Sequence, residues 1–321
     1  GDPEQVTLVG QSAGAISAFA LLARKDSSAL FNRAILQSGR LSALSDSATA
    51  RAAGEAMVAA SGLPADAFRR LPLDDLMKLQ AAQMRAGASE FAKTTAPFWP
   101  CADGEFIPTD TVNAAVNNAV GKQFMIGWTR DEMAAFFAGS EQINAATQAQ
   151  MEQALEREWG SNWCEGEQFA RARVPGGNPE RVLDAAINER MFAGSSVMFA
   201  EHLMSVQPAW LYRFDWAPPG SAFGACHCIE LPFVFDNAER WRPPMLEGAD
   251  THAVRALSDI VQTGWASFVR NGDPNHERLP RWPRYEADRR WVLRIDDIIE
   301  AVGDIGGVSL EGRPRPRYLG G

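Results

Sequence analysis

The sequence predicts an α/β fold, in which a mostly parallel central sheet is flanked by helices. Short apolar, β-branched segments alternate with helical ones along the chain, and a strand, a helix and a second strand already succeed one another within residues 5–36. This succession is typical of a βαβ unit, whose two strands lie parallel. The apolar fraction of 46% and the charged fraction of 22% are those of a folded globular chain, which excludes general disorder.

The individual elements follow from local patterns. Short runs of apolar and β-branched residues predict strands at residues 5–9, 33–36, 124–128, 210–214 and 291–295. Apolar residues at helical spacing predict helices at residues 13–24, 47–60, 73–85, 132–138, 141–158, 179–206 and 252–270. The helix at residues 13–24 is apolar on nearly every side, and we therefore expect it to be fully buried.

Charge and cysteine content exclude several classes of protein. The net charge of −9 and the lack of a basic stripe argue against a nucleic-acid partner. No apolar run approaches the roughly 20 residues that span a bilayer. The four cysteines predict free thiols in a reducing compartment, with a Cys101–Cys164 disulfide as the open alternative. The run Cys226-His227-Cys228 has no further ligand at a zinc-site spacing, so we predict no metal and no cofactor.

The most informative motif is Gly10-Gln11-Ser12-Ala13-Gly14, which fits G-x-S-x-G. A predicted strand precedes it and a predicted helix follows it, as in a nucleophile elbow. We therefore predict that Ser12 is a nucleophile and that the Ala13 amide, at a helix N-terminus, stabilises an oxyanion. Glycine on both sides of Ser12 is expected because a side chain there would collide with the neighbouring strand or helix.

A serine nucleophile needs a base, and the chain has only four histidines. His202, His252 and His276 lie in polar helical or turn segments and are interpreted as surface residues. His227 lies in a loop between the strand at residues 210–214 and an apolar segment, and it follows Ser12 in the chain, as hydrolase triads require. We predict it to be the general base; the alternative is a buried histidine bonded to the backbone.

Two adjacent acids, Asp131 and Glu132, follow the predicted strand at residues 124–128. A carboxylate at a strand end can accept the Nδ1 proton of His227 and hold the tautomer that catalysis needs. Spacing alone leaves both acids as candidates.

These residues resemble the type-B carboxylesterase family, which includes cholinesterases and bacterial p-nitrobenzyl esterases. The segments that carry the resemblance are Gly10-Gln11-Ser12-Ala13-Gly14-Ala15, Ala34-Ile35-Leu36-Gln37-Ser38-Gly39, the loop with Pro100 and Asp103-Gly104, the segment Arg130-Asp131-Glu132, Gly224-Ala225-Cys226-His227 with Glu230-Leu231-Pro232-Phe233, and Gly272-Asp273-Pro274-Asn275. The resemblance implies an α/β-hydrolase fold and, because the family uses the glutamate, it implies Glu132 as the acid.

The resemblance also implies an activity. Ser12, His227 and Glu132 would hydrolyse a small-molecule ester through an acyl-enzyme without a cofactor. The resemblance further implies that Ser38 takes part in hydrogen bonds around the triad. It also implies a substrate pocket that contains Phe98, Trp99, Phe136 and Phe223. The alternatives are a non-catalytic adhesion or scaffold protein of the same fold, or a hydrolase of amides, carbamates or a specialised ester. The bacterial cytoplasm is the favoured compartment.

The resemblance predicts a partial domain. The family places several strands and a His-Gly-Gly-Gly type oxyanion loop before the nucleophile, so we expect the chain to be the C-terminal two thirds of one catalytic domain, weak alone and paired with its N-terminal part. Gln11 and Met133 depart from the glutamate and glycine usual in the family. Within residues 1–321 we expect an elbow at 6–24, helical insertions at about 47–90 and 141–206, and a histidine loop at 223–235.

Overall fold

A computed structural model of the chain describes residues 1–42, 44–87, 91–92, 98–241 and 243–303, with only the backbone of residues 85–87. The end of the first expected insertion, residues 88–90, lies outside the described residues.

Within the described ranges the strands form one six-stranded sheet and a separate two-stranded pair. The six-stranded sheet has the order β1-β2-β5-β6-β7-β8, in which β8 alone runs antiparallel to its neighbour. The strands are β1 Thr7–Gln11, β2 Arg33–Gln37, β3 Ser45–Asp46, β4 Cys101–Ala102, β5 Gln123–Thr129, β6 Trp210–Phe214, β7 Val292–Ile295 and β8 Glu300–Val302. The predicted mostly parallel sheet is therefore confirmed, while β3, β4 and β8 are too short to leave a pattern in the sequence.

Helices cover both faces of this sheet. They are α1 Ala13–Ala23, α2 Lys25–Ser28, α3 Ser47–Ser61, α4 Ala65–Phe68, α5 Leu73–Gly87, α6 Thr111–Asn117, α7 Ala134–Phe137, α8 Glu141–Asn144, α9 Gln148–Trp159, α10 Trp163–Arg173, α11 Pro179–Asn188, α12 Gly194–Leu203, α13 Leu231–Val234 and α14 Thr251–Asn271. The predicted helix at 179–206 contains a π-helical segment, Glu189–Ala193, between α11 and α12. None of the helices described is long and apolar enough to cross a membrane.

The core lies in two layers, one on each face of the sheet. On one face Phe19 of α1 packs edge-to-face against Phe199 of α12, with ring centroids 5.2 Å apart. On the other face Tyr212 of β6 packs against Trp265 of α14 at 4.9 Å. Because both faces are covered, the central strand β5 is apolar and buried almost throughout, as is typical of parallel sheets.

One side of the sheet is open. β1 is an edge strand, and Val6 and Val9 beside its outer edge are 39% and 44% exposed. The predicted full burial of α1 is wrong, since Gly14, Ser17 and Leu21 form an exposed stripe along the helix. The spacing of these residues, three and four apart, places them on one helical face. Composition alone could not reveal that this apolar face lacks a covering element among the described residues.

The register of the parallel strands gathers their C-terminal ends. Gln11 of β1 pairs with Gln37 of β2, which pairs in turn with Gly127 of β5. In open parallel sheets, ligand sites lie beyond this end of the strands. The loops that carry the predicted nucleophile and acid therefore leave the sheet on the same edge.

Candidate active site

Ser12 occupies the sharp turn between β1 and α1. Its backbone has φ 55° and ψ −121°, which is strained for a residue with a side chain. The turn is fixed from both sides: the Ser12 amide donates to the Gln37 carbonyl at 2.8 Å, and the Ser12 carbonyl accepts from the Ile16 amide at 3.1 Å. Strained backbone that is held this firmly is characteristic of functional sites.

The two glycines of the motif have different surroundings. A Cβ at Gly10 would lie 2.3 Å from the carbonyl oxygen of Gly14, so no side chain fits there. A Cβ at Gly14 would meet no described atom within 4 Å. The expected collision is therefore found at Gly10, and the same expectation is wrong for Gly14 within the described part of the chain.

His227 and Glu132 form a buried pair. The Nδ1 atom of His227 lies 2.5 Å from Oε2 of Glu132, and the two side chains are 6% and 0% exposed. The other carboxylate oxygen accepts the Thr129 amide at 2.8 Å. Since both oxygens of Glu132 are engaged, its orientation is fixed, and Nε2 of His227 is left to face the rest of the site.

Asp131, the alternative acid, has different partners. It forms an ion pair with Arg130 at 2.9 Å and accepts the Ala225 amide, also at 2.9 Å. An isolated parallel bridge joins Asp131 to Cys226 as well. Asp131 therefore ties the histidine loop to the end of β5, whereas Glu132 contacts the imidazole.

The surroundings of His227 stabilise the imidazolium that forms when it takes a proton. Burial lowers the pKa of the imidazole, but the charge and hydrogen bond of Glu132, together with those of Cys228, raise the pKa overall. The rings of Phe136 and Phe192 lie 5.4 and 5.3 Å from the imidazole. An imidazolium between aromatic rings and a buried carboxylate is held in one orientation and shielded from water.

The nucleophile elbow reaches the imidazole through the residue before the serine. Nε2 of Gln11 lies 3.3 Å from Nε2 of His227. The loop that carries the predicted base thus contacts the residue before the predicted nucleophile, with the amide of Gln11 at Nε2 of the imidazole. Ala13 is the first residue of α1, where backbone amides have no acceptor within the helix.

The remaining predicted site residues differ in how they lie relative to the His227–Glu132 pair. Ser38 is buried at φ 49°, and its hydroxyl has no hydrogen-bond partner among the described residues. Of the four predicted pocket aromatics, Phe136 contacts His227, whereas Phe98 is 41% exposed and Phe223 packs beside the core layer of α14. The Trp99 ring stacks near the Arg40 guanidinium at 6.0 Å.

Sequence reasoning missed Phe192, whose ring lies tilted at 48° against the imidazole of His227 and comes from the π-helical segment Glu189–Ala193. A π-turn rotates the side chains that follow it, and such turns often lie at functional sites. The apolar pattern of residues 179–206 reads as an ordinary helix and carries no signal of this insertion.

No cluster that could hold a metal occurs among the described histidines, cysteines and acids. All four cysteines are free, so the Cys101–Cys164 disulfide is not formed.

A parallel sheet with helices on both faces, a strained serine between strand and helix, and a buried acid–histidine pair at the same edge define an α/β hydrolase. Comparison with known sequences assigns the particular family. The sequence model of the carboxylesterase family matches residues 1–304, and the chain belongs to this family.

Curated relatives and solved structures agree with this assignment. The chain is 31% identical over 326 residues to phenmedipham hydrolase of Pseudarthrobacter oxydans, covering 99% of this chain and 63% of the relative. It is 31% identical over 311 residues to para-nitrobenzyl esterase of Bacillus subtilis, covering 95% and 61%.

Among solved structures, a PNB esterase superimposes with a TM-score of 0.82 at 28% identity, covering 97% of this chain and 63% of that one. A carboxylesterase of Geobacillus stearothermophilus gives a TM-score of 0.81 at 26% identity, covering 97% and 64%. The chain thus spans less than two thirds of the length of these relatives.

Proposed function

We propose that the protein is a serine carboxylic-ester hydrolase that uses Ser12, His227 and Glu132. The observation that carries the proposal is the buried His227–Glu132 contact of 2.5 Å beside the strained elbow of Ser12. This combination supplies a nucleophile, a base and a group that orients the base, which are the components of acyl transfer by a triad.

The first step forms an acyl-enzyme. The Ser12 hydroxyl attacks the ester carbonyl while Nε2 of His227 takes its proton. The Gln11 amide, now 3.3 Å from that nitrogen, gives way to the hydroxyl. Glu132 stays ionised and stabilises the imidazolium that forms, since its carboxylate accepts the Nδ1 proton.

The second step releases the acid. His227 has by then protonated the departing alcohol, which completes the acyl-enzyme. It now takes a proton from the water that attacks the acyl carbonyl and returns it to the Ser12 oxygen as the bond between that oxygen and the acyl group breaks. The Ala13 amide at the start of α1 stabilises the oxyanion in both steps. One such donor is worth roughly 3 to 4 kcal/mol of transition-state stabilisation, so a further donor beside Ala13 would raise the rate strongly.

The open edge of β1 supports a second element of the proposal. An edge strand with exposed valines is a template for pairing with another strand. We infer that β1 pairs with further polypeptide of the same enzyme, which also brings the additional oxyanion donors. The four free thiols support a reducing compartment, such as the bacterial cytoplasm.

The names of the relatives guide the choice of substrates. A p-nitrobenzyl ester and phenmedipham are the first compounds to assay, because relatives named for them match almost the whole chain. Amide and carbamate substrates belong in the same panel. A small-molecule ester with an apolar acyl group suits the aromatic surroundings formed by Phe136 and Phe192.

Labelling with a fluorophosphonate tests the proposal directly. We expect the reagent to modify Ser12 in the wild-type protein, as identified by mass spectrometry, and to leave the Ser12→Ala variant unmodified. A folded wild-type protein that neither labels nor hydrolyses any ester in the panel would contradict the proposal and support the non-catalytic alternative.

A further inference from the structure

A second carboxyl group is buried next to the proposed acid–base pair and has no task in the proposed mechanism. Glu230 follows His227 by three residues and is 0% exposed. Its Oε1 accepts Nε2 of Gln37 at 3.1 Å, while its Oε2 is buried without a hydrogen-bond partner among the described residues. A charged carboxylate with one bare oxygen would be very costly in such a place, so burial selects the neutral acid.

Gln37 connects Glu230 to the nucleophile. It is the last residue of β2, and its backbone carbonyl accepts the Ser12 amide at 2.8 Å. Its side-chain oxygen accepts the indole N–H of Trp265 at 3.3 Å. Because an indole nitrogen can only donate, the amide of Gln37 must turn its NH₂ group towards Glu230. The carboxyl, the amide and the strained elbow are therefore mechanically linked.

The titratable groups around Glu230 come from three parts of the fold. Glu132 faces it from the end of β5, Tyr212 from β6, and His227 and Cys226 from its own loop. Burial, followed by the charge of Glu132, raises the pKa of Glu230 to about 7. Two ionised carboxylates beside one imidazole repel each other, and the neutral state of Glu230 avoids that repulsion.

We propose that Glu230 is a positioning residue of the reaction. As a neutral acid it joins the histidine loop to the nucleophile elbow through Gln37, and it leaves the negative charge of the site on Glu132 alone. This inference rests on the proposed function. It concerns a residue that belongs neither to the G-x-S-x-G motif nor to the proposed triad.

The proposal separates two contributions of Glu230, contact and charge. Leucine in its place removes the acceptor for Gln37, whereas glutamine keeps an acceptor and is neutral at every pH. An ionised Glu230 would stabilise the imidazolium of His227 and raise its pKa, whereas a neutral Glu230 affects that pKa no more than a neutral glutamine does. Loss of the contact therefore acts on the rate, and the comparison with glutamine reports whether Glu230 carries a charge.

The experiment compares Glu230→Leu, Glu230→Gln and the exposed control Glu105→Gln by ester hydrolysis and fluorophosphonate labelling. We expect Glu230→Leu to lower kcat by about 10- to 100-fold with little change in KM, because a small displacement of the reacting groups has this effect. Glu230→Gln keeps most of the wild-type kcat and leaves the acidic limb of the pH profile in place, because one neutral side chain replaces another. Glu105→Gln matches wild type.

The outcomes distinguish the two proposals. A folded Glu230→Leu protein with wild-type kcat, or a Glu230→Gln protein whose acidic limb moves to lower pH by about 0.5 unit or more, would overturn the role of Glu230. If Glu230→Leu does not fold, the profile of Glu230→Gln decides. If wild type does not label at Ser12, the proposed function fails instead; an NMR titration of the His227 imidazole then tests Glu230, and a lowered pKa in Glu230→Gln rejects it.

Discussion

The nucleophile side of the site and the acid–base side are built in different ways. Ser12 lies between an edge strand and a helix whose outer face is exposed, and Ala13 and Gly14 after it are exposed too. His227 and Glu132 are buried, bonded to each other and enclosed by aromatic rings. The described residues thus contain both members of the proposed acid–base pair, while the elbow lies at an open edge of the sheet.

This difference separates backbone effects from electrostatic effects. At the elbow, the proposed function depends on a strained turn held by Gly10 and by the Gln37 carbonyl, so changes of shape matter most. At the proposed acid–base pair the low dielectric strengthens every charge interaction, so changes of charge matter most. Variants on the two sides should therefore fail for different reasons.

The largest effect is expected at the nucleophile. Ser12→Ala removes the attacking oxygen and should lower kcat by about 10⁴ to 10⁶, with unchanged substrate binding. Steady-state hydrolysis of a p-nitrophenyl ester measures the loss. A variant that keeps more than about a tenth of the wild-type activity would reject Ser12 as the nucleophile.

The next largest effect is expected at the acid. Glu132→Gln keeps the shape of the side chain but cannot hold the required tautomer of His227, and kcat should fall by about 10³ to 10⁴. Asp131→Asn is the matched control, because Asp131 contacts Arg130 and Ala225 rather than the imidazole. Equal losses in the two variants would show that the adjacent acids share one role.

Backbone shape at the elbow is tested by the two glycines. Gly10→Ala places a methyl group against the Gly14 carbonyl and should lower the free energy of unfolding by about 3 kcal/mol or more. Gly14→Ala points into open space and should change it by less than about 0.5 kcal/mol. Chemical denaturation measures both. A strongly destabilised Gly14→Ala protein would show that another element covers this face of α1.

The smallest effect is expected in the pH dependence of folding stability, through the buried Glu230. Folding raises the pKa of Glu230 from 4.5 to about 7, so between these values the folded state binds more protons than the unfolded state. Stability should therefore fall as the pH rises through this window, by about 3 kcal/mol at most from this group. Glu230→Gln should lack that contribution, which denaturation at several pH values can detect. An identical pH dependence in both proteins would place Glu230 in its ionised form.

Candidates for the nucleophile and the base could be named from the sequence because each has a strong local signal. The motif around Ser12 has a strand before it and a helix after it, and His227 is the histidine outside polar helical and turn segments. The structure places both predicted residues at the C-terminal edge of the sheet. The mostly parallel character of the sheet followed from the alternation of apolar strand and helix segments, whereas its strand order did not.

The contacts across the site could not be predicted in this way. His227 and Glu132 are 95 residues apart, and Gln37 and Glu230 are 193 apart. No local pattern records which of two adjacent acids turns towards a distant loop. Phe192 reaches the imidazole only because a π-turn interrupts an apparently regular helix.

The sequence by itself determined the strand and helix order, the nucleophile motif and the family, because each depends on neighbouring residues or on a spacing along the chain. Tertiary structure decided that Glu132 faces the histidine and that Asp131 bonds to the histidine loop. It also decided that Glu230 is buried and bonded to Gln37, and that one face of α1 is exposed. The reason is that periodicity shows which residues are apolar, whereas only packing fixes what each of them meets.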